Sequence, residues 1–378
     1  MTAPHGQTRD RLRTALFGIA TRRAVRDYLV MVLLIMFILL MIAMTIDLAA
    51  NFASLRLSAA EDGTPVAGLM ARYMTYRTVD IVTRLLPMAT FFGVFLAEIY
   101  RRNRLESIIL STSGASPSRL LAAVFWVGLL LGALQAVNEA KWRPWAVFAQ
   151  VDLEQGDYAR WYARGWMKKA SWFVSGETAI RAEVLRSDAP ELRDVLVFHG
   201  IRQRELSAIY AAQRAVPTGT PYKWRLEGVS QWRSAFDSPP AAPGGVVTLT
   251  LDLVPEQLTY LHVQEFNLPG AALSALSPLS DIPNAAKIQV AVARRWSVWL
   301  LPGAFALLAT CLAQAGFTGR TLMIPRLIAL GAVGFLLVTS IKVFWALGEL
   351  AVVPAAAAVS VPAAFALGLS AVLILRRS

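Results

Sequence analysis

Charge is scarce in this chain: 16% of its 378 residues are Asp, Glu, Lys or Arg, against about 25% in an average soluble domain. Thiols are scarcer still. Cys311 is the only cysteine and sits inside an apolar run, which excludes an internal disulfide and any cysteine-clustered metal centre. The three histidines, His5, His199 and His262, lie outside the apolar runs, so serine–histidine and histidine–metal chemistry within those runs is excluded. No G-x-x-x-x-G-K-[S/T] stretch occurs, so this phosphate cradle for ATP is not encoded. Paired carboxylates for intramembrane hydrolysis come down to Asp47 and Asp80, both near the outer ends of apolar segments, where solvated or ion-paired acids are ordinary. The net charge of +12 sits largely in short segments that flank apolar runs. None of these basic stretches has the aromatic interleaving that reads bases. Nucleic acid is therefore not an expected partner, and neither a cofactor nor a metal is implied.

What is present is apolar length. Tyr28 to Ile46 run for nineteen positions without a charge, and about 20 such residues span a hydrocarbon core of roughly 30 Å. The run exceeds the ~7–15 residues of a secretory signal, so it is expected to be a retained anchor. Five further apolar segments follow, near 79–99, 120–137, 296–315, 322–347 and 350–375. Pro87 interrupts the second, a break that neighbouring helices can tolerate by satisfying the freed carbonyl. Arg9, Arg11, Arg13, Arg22, Arg23 and Arg26 precede the first run. Arg101, Arg102, Arg104 and Arg119 join the second to the third, and Arg320 and Arg326 join the fourth to the fifth. An even number of crossings places all these clusters and both termini in the cytoplasm. The first outer loop, 48–78, carries Arg56, Arg72 and Arg77 against that rule.

Between the third and fourth spans the pattern changes to short alternating stretches. Val247–Leu253, Thr178–Val184 and Lys223–Glu227 alternate with period two, as half-buried strands do. Pro- and Gly-rich stretches at 217–221 and 239–245 punctuate them as turns. The fold class expected is six transmembrane helices with an inserted extracytoplasmic all-β domain, of sandwich type. Residues 1–27 form a basic cytoplasmic tail, and 28–142 hold spans one to three with a cytoplasmic helix at about 101–118. Residues 143–286 form the β domain, ending in a Pro/Ser/Ala-rich return linker at 267–286, and 287–378 hold spans four to six.

The segment from Arg102 to Ser116 places Leu105, Ile108, Ile109 and Thr112 on one helical stripe. Glu106 stands near the start, where the dipole favours an acid. Gly114 can stop the helix, and Ser116-Pro117 begins the next element. Such a helix is either a knob for a soluble partner or a plain connector. A basic residue, then Glu106, then an apolar run closing on Ser113-Gly114 resembles the cytoplasmic coupling segment of the YjgP/YjgQ family, the LptF and LptG permeases that export lipopolysaccharide. The likeness extends to the order of three helices, β domain and three helices. The stretches 165–169 with 172–174, the short tail 373–378 and Ile46-Asp47 resemble LptG more than LptF.

The resemblance implies an inner-membrane, multi-pass transport subunit, not an enzyme, paired with an LptF-like permease. It implies an LptB-like ATPase dimer gripping the coupling helix, with Arg104, Glu106, Ile109, Ser113 and Gly114 at the contact. It also implies a periplasmic β-jellyroll-like domain that receives lipopolysaccharide acyl chains and passes them to LptC-like and LptA-like jellyrolls. Substrate-cavity residues would include Asp47, Arg56 and Arg84. The family's lysine cluster near the outer end of the first span has no counterpart here, and Arg56 is the nearest cation. Arg84 in a span is costly by about 2.5–3.5 kcal/mol, which favours a cavity, whereas Lys342 and Glu349 can snorkel to the interface. Gly128-x-x-x-Gly132 can seat a close helix contact. The rival readings are a receptor or scaffold displaying the β domain, and a permease for another lipid or for lipoproteins. The lipoprotein permeases usually carry their large domain after the first span.

Overall fold

The computed structural model describes residues 16–106, 118–166, 170–185, 190–203, 206–220, 222–233, 244–278, 284–318 and 321–376. It divides into two compact units, residues 1–155 with 293–378, and residues 156–292.

In the first unit the opening apolar run belongs to a much longer helix. Helix α1 spans Ile19–Glu61, 43 residues or about 65 Å at 1.5 Å per residue. No Gly or Pro interrupts it. It stops where Gly63 takes φ 63° and the Thr64 amide donates back to the Ala59 carbonyl at 3.0 Å, a left-handed helix end that glycine adopts without strain. Helix α2, Val66–Asn103, follows at once. The expected outer loop at 48–78 is therefore corrected: it consists of two helix ends joined by a four-residue turn. Uninterrupted helix formers carried the helices past the apolar stretch that the sequence reading treated as their limit.

Pro87 sits inside α2 and has no amide to donate to the Thr83 carbonyl. Gln135, from helix α3 (Ser118–Val137), donates to that carbonyl at 2.9 Å, so a neighbouring helix repairs the proline break. After α3 come a π-helical turn, Asn138–Trp142, and helix α4, Arg143–Asp152. Pro144 in the first turn of α4 cannot donate to residue 140. The Arg143 amide instead reaches the Asn138 carbonyl, the five-residue spacing of a π-turn. Arg143–Asp152, expected at the head of the β segment, thus groups with the helical unit.

The chain returns through α8 (Ala285–Ser297), which enters this unit at residue 293, and α9 (Leu300–Ala315); the two helices meet at 61°, and α5 to α7 are placed with the second unit below. The fourth apolar segment, expected as one helix from Trp296, is in fact broken after Ser297, and Pro302 is accommodated in the first turn of α9. A two-stranded ribbon, Phe317–Thr318 with Thr321–Leu322, leads to α10 (Ile324–Glu349) and α11 (Ala355–Leu375). Among the described residues five helices are long and apolar enough to cross a membrane, and the bent pair α8–α9 passes the same test when its two helices are counted as one span.

Glycines set the closest helix approaches. A Cβ on Gly93 would lie 2.5 Å from Val32 of α1, and one on Gly128 would lie 2.6 Å from the Gly303 Cα of α9. A Cβ on Gly132 would collide with the Trp299 carbonyl oxygen. The two glycines singled out in the sequence do seat α3 on its neighbour. Tyr28, Val94, Val127, Phe305 and Leu308 lie in the core so formed.

The second unit carries helix α5 (Gly156–Trp166) and six strands: β1 Ser171–Ser175, β2 Thr178–Leu185, β3 Glu191–His199, β4 Ala208–Pro217, β5 Lys223–Arg233 and β6 Gly245–Thr250. They form one antiparallel sheet in sequence order, so β1 and β6 are its edges among the described residues. The three alternating stretches of the sequence fall on β2, β5 and β6. Ile180, Val197, Trp224 and Leu226 are buried on the sheet. The Trp224 indole N–H donates to the Leu253 carbonyl at 2.7 Å, giving its buried polar atom a partner. The stretch expected as a return linker contains α7 (Gly270–Leu276). With α6 (Pro255–Thr259) nearby, Leu268, Leu273 and Leu276 form a small core of their own with Val254 and Ile288.

Candidate functional site

Two clusters of charge interrupt an otherwise apolar helical unit. The larger is a ladder of ion pairs that starts at Asp47 on α1. Its carboxylate accepts the Tyr73 hydroxyl at 2.5 Å and Arg77 Nε at 2.8 Å, with Arg77 Nη2 at 2.6 Å. Arg77 also donates through Nη1 to Asp80 at 3.1 Å. The other Asp80 oxygen accepts Arg84 Nε at 3.1 Å and Arg143 Nε at 3.0 Å. Arg143 Nη1 lies 3.3 Å from both Glu139 oxygens, and Arg294 Nη2 lies 2.7 Å from Oε1. The Arg294 guanidinium covers the Trp345 ring at 3.9 Å. Helices α1, α2, α4 and α10, the π-turn and residue 294 are thereby tied together.

Local sequence explains why these groups meet. Arg77, Asp80 and Arg84 are spaced i, i+3 and i+7, one face of α2. Glu139 and Arg143 are four apart across the π-turn, which widens the helix and re-aims the side chains that follow it, as such turns often do at functional sites. Asp80, Glu139 and Arg143 keep at most 2% of their side-chain surface, whereas Arg84 keeps 41%. Among the described residues three carboxylates face four guanidiniums, and the most exposed of these cations is Arg84, which is itself paired with Asp80. Buried charges persist in an apolar medium only when they are paired and hydrogen-bonded.

The smaller cluster lies at the other end of α2. Tyr28 donates to Glu98, and Arg101 Nη1 donates to Tyr28 at 3.1 Å and to Glu98 at 3.2 Å. Glu106 is held by Arg101 Nε at 3.4 Å and Arg23 Nη2 at 3.3 Å. Arg104 stacks over the Tyr100 ring at 4.4 Å. From Asp80 to Arg101 α2 advances 21 residues, about 30 Å at 1.5 Å each, which equals the thickness of a hydrocarbon core. The two clusters bracket an apolar layer of bilayer dimensions.

The residues anticipated from the sequence distribute unevenly. Asp47 and Arg84 belong to one ladder, joined through Arg77 and Asp80. Arg56 is exposed further along α1 and enters none of the ion pairs among the described residues. Arg104 and Glu106 close the end of α2; Ile109, Ser113 and Gly114 lie outside the described residues. Of the helix expected at about 101–118, residues 101–103 are the last turn of α2, and Leu105 takes φ 58°. Asp47 and Asp80 do not face each other as a catalytic pair: Arg77 binds both. Sequence reasoning missed Arg77, Glu139, Arg143 and Arg294, although the i, i+4 spacing of Glu139 and Arg143 was available to it.

Searched against curated proteins, the sequence finds no match. The family described as lipopolysaccharide export system permease LptF/LptG matches residues 22–376, which takes in both charge clusters, all six strands and every candidate span. The chain therefore belongs to the LptF/LptG family of lipopolysaccharide export permeases and is a multi-pass inner-membrane transport subunit.

Proposed function

We propose that this permease is the LptG-like half of a two-permease exporter whose termini and Glu106 face the cytoplasm and whose β unit faces the periplasm. Basic segments at the Glu106 end support that orientation. Lipopolysaccharide enters the bundle at the level of the ladder, where its phosphates meet Arg84, with Arg56 further out along α1, and where Asp47 holds Arg77 in place. The observation that carries this reading is the half-exposed guanidinium of Arg84 at the edge of a buried, arginine-rich ladder, one bilayer thickness from Glu106. A phosphorylated lipid in the outer leaflet presents its anions at that level. Its acyl chains cost about 0.8 kcal/mol per CH₂ in water, and an apolar route through the β unit avoids that cost. The edges β1 and β6 are suited to continuing the sheet into LptC-like and LptA-like jellyrolls by strand addition.

The work comes from an LptB-like ATPase dimer that grips the segment beginning at Glu106, including Ile109, Ser113 and Gly114, beside Arg104. Purification in mild detergent should retain a nucleotide-binding subunit, and a photo-crosslinker placed beside Arg84 should capture lipopolysaccharide. Loss of both signals would refute the reading. Loss of the crosslink alone would refute only the placement of the cavity.

A further inference from the structure

A cleft of about 510 Å³ opens at the Glu106 end of the helical unit, lined by Arg102, Arg326, Arg376, Gln314, Phe317 and Leu373. We propose that it is a binding site for the phosphate headgroup of a resident anionic glycerophospholipid, separate from the transported substrate. The inference does not depend on the transport mechanism proposed above. Its three arginines come from the last turn of α2, the first turn of α10 and the end of α11. Each stands where an apolar span stops, which is headgroup level, and basic pockets between membrane helices at that level take anionic lipid heads.

The electrostatics ask for an anion. Among the described residues no acidic side chain lines the cleft. Glu98, one turn from Arg102, bonds Tyr28, Arg101 and Gln314 and attracts Arg102 as well, so the anion is asked for chiefly at Arg326 and Arg376. Arg102 is fixed in orientation, donating to the Gln314 carbonyl at 3.3 Å and lying over the Phe317 ring at 4.6 Å. Arg326 and Arg376 are exposed and enter none of the ion pairs among the described residues. Arg326 is also on the unfavourable end of α10, since a cation at a helix N-terminus opposes the helix dipole. An anion seated in front of it satisfies the guanidinium and the helix end together. Phe317 and Leu373 add an apolar wall for glycerol and the first acyl carbons, which a free phosphate ion would leave unused.

The test uses the full chain, purified and delipidated in mild detergent, with native mass spectrometry as the readout. Phosphatidylglycerol and phosphatidylcholine of matched acyl chains are added separately. The wild type should retain phosphatidylglycerol in preference, and the variant Arg326→Gln/Arg376→Gln should lose at least tenfold of that retention. Arg326→Lys/Arg376→Lys should keep most of it, and unchanged circular dichroism guards against misfolding. Any of four results overturns the proposal: equal retention of both lipids, undiminished retention in the Gln variant, displacement of the lipid by millimolar inorganic phosphate, or equal displacement by lipopolysaccharide. Loss of a co-purifying protein in the Gln variant with lipid retention unchanged would assign the cleft to that protein instead.

Discussion

At the scale of single residues, the ladder makes unequal demands on its members. Glu139 is the hub for two guanidiniums, Arg143 and Arg294, and is almost completely buried. Glu139→Gln leaves both cations facing a neutral amide in an apolar interior. Removing one partner of a buried pair costs about 3–5 kcal/mol, so this variant should show a large drop in the midpoint of thermal unfolding in detergent. Arg84→Gln removes the half-exposed member of its pair, 41% against 1% for Asp80, and leaves Asp80 bonded to Arg77 and Arg143, so a loss of about 1 kcal/mol or less is expected. Near-equal losses in the two variants would mean that the ladder is not graded by burial. In the β unit, His199 sits on the Thr178 hydroxyl, with Nδ1 at 3.1 Å, and burial holds its imidazole below the ordinary histidine range. The unfolded chain then binds the proton more readily. His199 therefore contributes stability above about pH 6.5 that is lost as pH falls toward the folded value. Protection factors of β3 and β4, taken relative to the intrinsic exchange rate at each pH, should fall between pH 7.5 and 5.5 in the wild type, and His199→Gln should flatten that difference.

At the scale of elements, close backbone approach holds the helices together in place of a hydrophobic driving force. Gly128 permits α3 to meet α9 with a would-be Cβ 2.6 Å from Gly303. Gly128→Leu must push the helices apart, at about 1–3 kcal/mol for an overpacked contact. Gly331→Ala, whose Cβ would sit an ordinary 3.7 Å from Phe95, is the matched control and should unfold like the wild type. Equal melting of both variants would remove glycine packing from the account. The elements were legible in the sequence where a single period sufficed. Nineteen uncharged residues gave α1 its membrane portion, and period-two stretches located β2, β5 and β6. Helix ends were not legible, because the sequence reading tied them to the apolar limit, while α1 continues through polar helix formers to Gly63. The bend between α8 and α9 and the π-turn at Asn138–Trp142 escaped because each follows from a proline, Pro302 or Pro144, whose effect depends on its position within a turn. Less than half of the ladder was legible for the same reason. Asp47 and Arg84 stand out as charges beside apolar runs, whereas Glu139, Arg143 and Arg294 looked like ordinary polar residues at span ends until tertiary packing buried them.

At the scale of the whole molecule, the two charge clusters lie one bilayer apart on a single continuous helix. A displacement at Glu106 can therefore be felt at Asp80 through α2 itself. Glu106 is not waiting free for a partner: Arg23 and Arg101 hold it from two helices. Two roles can be separated by charge reversal. If Glu106 serves the ATPase contact, Glu106→Arg should reduce lipopolysaccharide release from reconstituted vesicles by about tenfold or more, equivalent to roughly 1.4 kcal/mol of coupling, while ATP hydrolysis persists. The exchanged pair Arg23→Glu/Glu106→Arg restores an ion pair inside the chain but offers the partner the wrong charge, so it should remain uncoupled. Recovery of release in the exchanged pair would show that Glu106 works by anchoring α1 to α2, and the force would then have to enter the permease elsewhere.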